Sequence, residues 1–501
     1  MYFLIIKSEE GGDVMGFLTV LEVSKKQSYI FKSNRLRENI GASEIIEFVT
    51  KELPQKLYNK YNGRHINSGG GSSIFYFENK DDCKNFSKDY SKFVLETFPS
   101  LEFFMASLEY DPEKDIIIDK TKELYEKLEK KKAKRDMYSY IVDFGVSKKC
   151  SSTRLAAVYK EELSGNYYSG EAKSKIDMFN QREKSNSQFA LDIKDLGVSK
   201  NEKSYIAITH IDGNRMGKRI SNLRESFRSK YNSENIKEIN EQYINALNQF
   251  SIDIDKAFKT AFNKMVETVE KNRENLEKEG MELKSSVIPI RKVVLAGDDV
   301  CYITDARIAL ECAYIFLREL EKYKVMGEKI TACAGIAIVK EKYPFFKTYE
   351  LSEELCKNAK SSIEEGKIES RIDWHIVQGE YNNNLDEIRN TVYKTLDGKD
   401  LSMRPLVVSK ESDSPNHYSL FRKDIEVIRS RKLPRGKIKG MLKEMKKGEA
   451  YLDTYIEINQ IYNVLGAHRL NAKSGFLNGK CVLFDAIEAL DYFIPFCDEE
   501  V

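Results

Sequence analysis

The sequence predicts an α+β protein, with two ferredoxin-like palm domains followed by a helical C-terminal domain. Three observations carry this. Over the first 120 residues, short runs rich in Val, Ile, Phe and Tyr alternate with charged stretches of helical period. The same rhythm returns between Tyr205 and Val377 in the order strand, helix, hairpin, helix, strand, helix, strand, the order an antiparallel ferredoxin-like sheet requires. After Gly379 the strand-like runs give way to helical periodicity. A chain of 501 residues exceeds what one core supports, so several domains are expected. Their boundaries read as 1–119 for a first palm-like domain, 120–201 for a helical connecting segment, 202–379 for a second palm and 380–501 for the helical domain.

Taken in order, the apolar run Tyr2–Ile6 is too short for a signal peptide or membrane span and reads as a first strand. GFLTVLEVS, QSYIFKS, SSIFYFEN and LEFFMASLEY follow as strands, with helices through GASEIIEFVTKELPQKLYNKY and DDCKNFSKDYSKFVLETF. From Lys120 to Asp136, Glu123 with Lys127 and Glu126 with Lys130 stand at i,i+4 with the acid first, which predicts a solvated helix. The polar stretch Ser147–Asn201 reads as a connecting subdomain of unassigned fold. The second block comprises the strand YIAITHID, a long charged helix from about Glu234 to Gly280, the hairpin RKVVLAGDDVCYIT and the helix ALECAYIFLRELEKY. The strand KITACAGIAIVK, the helix TYELSEELCKNAKSSI and the strand RIDWHIV complete it. Pro434 begins one of the C-terminal helices, which run through EAYLDTYIEINQIYNVLG and CVLFDAIEALDYFI.

Composition narrows the function. Lys and Arg number 81 against 79 Asp and Glu, so no global field drives the chain onto nucleic acid or an acidic membrane. Its 8 cysteines are scattered singly with no CxxC pair, which predicts reduced thiols and a cytoplasmic setting. His210 and His375 lie in apolar strands and read as core histidines, while His65, His417 and His468 show no metal-ligand spacing.

Two adjacent carboxylates, Asp298 and Asp299, follow Gly297 at the hairpin turn, and adjacent like charges are costly unless a cation or water separates them. A Gly-Asp pair is also ordinary hairpin-turn chemistry, and a solvated type I′ turn explains it equally. Asp212 ends an apolar strand and runs into Gly213, Asn214, Gly217 and Lys218, a turn whose backbone N–H groups can hold phosphates. If the two strand ends meet at one rim of the sheet, the three acids form a site for two Mg²⁺ or Mn²⁺ ions, which take oxygen ligands and substrate phosphates.

These segments resemble the large-subunit polymerase and cyclase family of type III CRISPR effector complexes, the Cas-ten family with its GGDD-type palm. The resemblance rests on SYIFKSNRLRENIGASEII, INSGGGSSIFYF, AITHIDGNRMGK, VVLAGDDVCYIT, TACAGIAIVKEKYPFFKTYELSEELCKNAK, RIDWHIV and LSMRPLVVS, in the family's order. It implies two palms packed together with ATP between them and synthesis of a cyclic oligoadenylate or related cyclic nucleotide. Asp212, Asp298 and Asp299 then occupy the metal-binding and catalytic positions, and Lys360 stands where related cyclases contact the triphosphate. Gly69, Gly70, Gly71, Ser72 and Ser73 stand where an active palm carries acids, which implies a degenerate first palm without carboxylates whose glycine turn approaches a second nucleotide. Ala296 replaces the first glycine of GGDD, and Asn214 stands where the family often has Asp. Neither an HD nuclease segment before the first palm nor the cysteine pairs of a zinc ribbon are found, so a reduced member without DNA cleavage is expected.

The leading expectation is therefore an Mg²⁺-dependent nucleotidyltransferase acting on ATP in antiviral defence, with RNA or other defence-system subunits as partners and no membrane association. The alternatives are a non-catalytic RNA- or nucleotide-binding scaffold and a two-nucleotide cyclase resembling diguanylate cyclases.

Overall fold

The structure, a computed structural model, describes residues 15–69, 71–134, 145–162, 165–183, 188–197, 204–232, 234–379, 385–410, 414–429, 434–461 and 475–497. The strand expected at Tyr2–Ile6, Gly70, His468 and the end of the helix expected through Gly466 lie outside the described residues. The fold divides into two units interleaved along the chain. One comprises Met1–Tyr29, Glu44–Met178 and Gly217–Ser251; the other comprises Ile30–Ser43, Phe179–Met216 and Ile252–Val501.

In the first unit the strand Gly16–Val23 lies between Ser72–Phe77 and Phe103–Tyr110, all antiparallel, and Arg64–Gly69 pairs outside Ser72–Phe77. RHINSG carries too few apolar residues to announce itself as a strand; pairing with SSIFYF creates it. Helices Lys80–Thr97 and Ile117–Ala133 contact this sheet, the first capped by the Asn79 side chain on the Asp82 amide at 2.8 Å. Leu18, Val20, Ile74, Ala106, Leu124 and Leu128 make the core, joined by Ile239, Tyr243 and Ile244 of the long helix Ile236–Lys271. Asn240 of that helix is 2% exposed and fully used: its amide donates to the Tyr110 hydroxyl and the Pro112 and Asp115 carbonyls, while its oxygen accepts from the Ile117 amide and the Tyr231 hydroxyl.

Two sequence expectations change here. QSYIFKS is helical, Lys26–Phe31, and Tyr29, Ile30 and Phe31 are all buried, three successive apolar residues that a half-buried strand would send to opposite faces. The solvated helix at Ile117–Ala133 is partly an edge cover: Lys127 and Lys131 donate to the Ser107 and Met105 carbonyls of the edge strand at 2.6 and 2.8 Å. Ion pairs on this helix join Lys120 to Glu123 and Glu129 to Lys132, at i,i+3. Covering the carbonyls of an edge strand in this way discourages its pairing with other chains. The stretch expected as a connecting subdomain contains a small hairpin, Tyr159–Lys160 with Tyr167–Tyr168, and the helix Gly170–Arg182.

The second unit holds a six-stranded sheet. Tyr205–Gly213 lies between Asp299–Asp305 and Ala332–Lys340, antiparallel to both; Ile290–Ala296 completes the hairpin on one side. Arg371–Ile376 adds parallel to Ala332–Lys340, and Leu406–Val407 closes the far edge. The order of hairpin, first strand and return strand is that of the first unit, so the chain contains the same palm twice. Helices Ala309–Leu320 and Phe345–Ser361 are heavily buried, the second through Leu351, Leu355 and Ala359 among others. Helices Tyr418–Arg429, Arg435–Lys447, Glu449–Ile458 and Phe484–Ala489 form the C-terminal helical part.

A buried charge network ties that part to the sheet. Arg404, with no side-chain exposure, bridges Asp485 at 2.9 Å and Glu488 at 2.7 Å and lies 4.4 Å from the Trp374 ring centre. His375 sits in the same layer beside Tyr393, with Arg404 and Arg389 nearby and Asp373 opposing them. Burial and the two guanidinium groups push its imidazole down to about 3, so the folded chain keeps it neutral while the unfolded chain protonates it below pH ~6.5. Stability must then fall as pH drops from about 6.5 towards 3. Replacing His375 with Gln should flatten the dependence of the urea midpoint on pH over this window by up to about one proton, measured by unfolding at pH 4.5, 5.5, 6.5 and 7.5.

Candidate active site

The register brings the acids together. Asp212 is the penultimate residue of its strand and pairs directly with Asp299, the first residue of the returning hairpin strand. Residues opposite one another in adjacent strands share a face, so both carboxylates stand on the same side of the sheet. Gly297 and Asp298 form the two-residue turn between Ala296 and Asp299. Gly297 has φ +62° and Asp298 keeps negative φ, the pattern of a type II′ turn rather than the I′ turn that the sequence alone suggests. The Asp298 carbonyl accepts from the Gly213 amide at 3.2 Å, fastening the turn to the end of the Asp212 strand.

Asp298 registers the electrostatic consequence. Burial, the Asp212 carboxylate and the adjoining Asp299 push its carboxyl up to about 6, offset in part by its backbone and Lys360. Lys360, the penultimate residue of helix Phe345–Ser361, donates to Asp212 Oδ2 at 2.5 Å and to the Gly213 carbonyl at 2.8 Å. Among the described residues no three acidic, histidine or cysteine side chains converge tightly enough to cage an ion unaided. Oxygen donors from one or two carboxylates, completed by water and substrate phosphate, are nevertheless what Mg²⁺ takes.

The other expected residues are placed as follows. Asn214 is 6% exposed, and its amide donates to Thr331 Oγ1 at 3.2 Å and to the Glu369 carbonyl at 3.1 Å, holding strand ends together inside the fold. A Cβ on Gly213 would come within 2.7 Å of Met216 Cε, which can move aside, and 2.9 Å of Asp298 Cβ, so a side chain there would press on the turn. Gly217 and Lys218 open the helix Met216–Arg228 and belong to the first unit, as do Gly69, Gly71 and Ser72.

Three functional candidates escaped sequence reasoning. His210 is buried on the Asp212 strand, with Nδ1 3.6 Å from Asp299 Oδ1. Glu353, one heptad before Lys360 and so on the same helix face, is exposed; its carboxyl is nonetheless raised, chiefly by partial desolvation and also by Asp299, with His210 and Tyr349 opposing. Glu22 corrects the expectation that the first palm has no carboxylate. It is penultimate in the strand Gly16–Val23 and lies opposite Ser72, as Asp212 lies opposite Asp299. Lys132, penultimate in the helix Ile117–Ala133, donates to it at 2.6 Å, as Lys360 does to Asp212. Gly71 and Ser72 stand at the positions of Asp298 and Asp299, so the first palm keeps one acid of three.

Residues 205–368 match the family described as Cas10/Cmr2, second palm domain. This segment is similar to a Cas10/Cmr2-type palm. The fold over most of the chain is similar to solved Csm1–Csm4 assemblies. The cassette in complex with pppApA matches at 14% identity and TM-score 0.54, covering 95% of this chain and 70% of that one. The complex with cA4 matches at 14% and 0.51, covering 92% and 65%. The subcomplex in the type III-A CRISPR-Csm interference complex matches at 13% and 0.54, covering 95% and 70%. The chain thus spans about two thirds of the length of these structures. No curated protein matches it significantly. Among the described residues no helix is long and apolar enough to cross a membrane.

The helix bearing Glu353 and Lys360 on the Cas10/Cmr2-type palm is set by Gly335. A Cβ there would meet the Ser352 carbonyl oxygen at 2.1 Å and the Cys356 nitrogen at 2.3 Å, both backbone atoms with little freedom to yield. Gly335→Ala should lift the helix, separate Lys360 from Asp212 and destabilise this unit by about 3 kcal/mol, read from the urea midpoint.

Proposed function

We propose that this chain is an Mg²⁺-dependent nucleotidyltransferase that converts ATP into a cyclic mono- or oligonucleotide messenger in CRISPR-type antiviral defence. The observation that carries this reading is the direct pairing of Asp212 with Asp299, beside the crowded carboxyl of Asp298, in a Cas10/Cmr2-type palm. Asp212, Asp298 and Asp299 would hold the cations. Bound divalent ions would supply an activated ribose hydroxyl and charge neutralisation at the leaving pyrophosphate. In the reaction a ribose 3′-oxygen forms a bond to an α-phosphorus, the bond from that phosphorus to the bridging oxygen breaks, and pyrophosphate leaves while the hydroxyl proton passes to solvent. Lys360 turns from Asp212 to the triphosphate once nucleotide enters, and Gly213, Gly217, Lys218 and Gly297 line the phosphate turn. Contacts of Gly69, Gly70, Gly71 and Ser72 with a second nucleotide belong to the same proposal. The Csm1–Csm4 structures support ATP and its oligomers as ligands and a second protein subunit as partner; a cytoplasmic setting belongs to the same proposal.

A non-catalytic nucleotide- or RNA-binding scaffold is the second reading, favoured by the Lys360 ammonium seated on Asp212. Turnover separates the two. Incubation with ATP and Mg²⁺, alone and with candidate activating RNA, should yield pyrophosphate and cyclic products by mass spectrometry. Asp298→Ala and Asp299→Asn should each lower the rate by at least about 100-fold. Wild-type protein inert under every activator, or variants as active as wild type, would leave the scaffold reading.

A further inference from the structure

The two adjacent acids of the hairpin are not equivalent, and the difference lies behind them rather than in the turn. Asp298 sits in the turn near Asp212, whereas Asp299 begins a strand and shares the sheet face with His210, two residues before its partner Asp212. The His210 ring is fixed from several sides. Its side chain is 8% exposed, it stands edge-on to Tyr349 with centroids 5.6 Å apart, and Tyr349 is itself stacked on Phe31 at 4.4 Å. Gly335, opposite His210 on the neighbouring strand, lets helix Phe345–Ser361 press onto this face. Nδ1 of this ring has no hydrogen-bond partner among the described residues and lies 3.6 Å from Asp299 Oδ1. A buried polar nitrogen without a partner is costly, and the carboxylate is the acceptor within reach of a small side-chain rotation.

We infer that His210 is a positioning residue for Asp299: its Nδ1–H holds one carboxylate oxygen and aims the other at the cation, while Asp298 supplies the more mobile ligand. This rests on the reading of Asp299 as a cation ligand. Groups that support a metal ligand from behind govern affinity by about 10–100-fold without touching the ion. The remaining neighbours of the ring, Asp212, Glu353 and Lys360, complete a shell in which an imidazole of fixed orientation separates two acidic positions.

The geometry makes a directional prediction. Asn carries its amide where Nδ1 lies and Gln carries it near Nε2, so His210→Asn should keep the function and His210→Gln should lose it. Full-length protein is titrated with Mn²⁺ alone by electron paramagnetic resonance, and ATP turnover is followed in parallel. Expected are Mn²⁺ affinity within about threefold of wild type for the Asn variant and a loss of about 10–100-fold for the Gln variant, with kcat falling more than KM changes. Both substitutions are polar and smaller than or similar to imidazole, and thermal melts confirm that each is folded. Equal behaviour of the Asn and Gln variants, or wild-type affinity in both, overturns the positioning role alone. Wild-type protein that binds no Mn²⁺ at millimolar concentration overturns the cation-ligand reading beneath it.

Discussion

The approach of helix Phe345–Ser361 to the strand Ala332–Lys340 at Gly335 sets the height of everything on the acidic face. With no side chain at that position, the helix backbone at Ser352 and Cys356 rests directly on the strand, and the Cys356 thiol reaches the Cys333 carbonyl at 3.1 Å. From this seat Glu353 looks onto His210 and Asp299 while Lys360 reaches Asp212. Lys and Glu side chains are long, but their freedom is spent laterally along the sheet; a helix held one methyl group higher would carry both beyond the strand ends. Close packing at one glycine is thus translated into charge placement at Glu353, one residue past the Ser352 contact, and at Lys360, four residues past the Cys356 contact.

The carboxylates themselves illustrate how environment divides identical residues. Asp298 and Asp299 are neighbours in sequence, yet the turn folds one back towards Asp212 and leaves the other at the start of a regular ladder. The protein thereby places charge on both sides of a strand end without inserting a third element. A helix-borne ammonium on Asp212 offsets part of the repulsion, and the buried carboxyl of Asp298 keeps the rest as an affinity for added positive charge.

Much of this was readable from the chain. The strands Gly16–Val23, Tyr205–Gly213 and Ala332–Lys340 are dense in β-branched and aromatic residues, and the GDD hairpin is bracketed by two such runs. QSYIFKS misled because seven residues are too few for a period of two to be told from one of 3.6, and its docking beside Tyr349 decides the outcome. RHINSG was invisible because a strand can be induced by its partner. Lys360, Asp212, Asp298 and Asp299 were found from strand ends and family resemblance, whereas Glu22, His210 and Glu353 were not. A glutamate near a strand end reads as solvent-facing, a histidine within an apolar strand reads as core, and an acid on a charged helix has no mark. Only pairing register and packing make them neighbours.

The duplicated pairing of a strand acid with a helix lysine has a consequence for how the two halves can diverge. In the first palm Glu22 and Lys132 are largely enclosed, 23% and 16% exposed, and each neutralises the other. Losing Lys132 alone strands the Glu22 carboxylate in a poorly hydrated place, whereas losing Glu22 alone leaves Lys132 its second partner, Glu129. The lysine thus secures its strand acid in the first palm, while the turn at Gly71 and Ser72 carries no charge that would need such a partner.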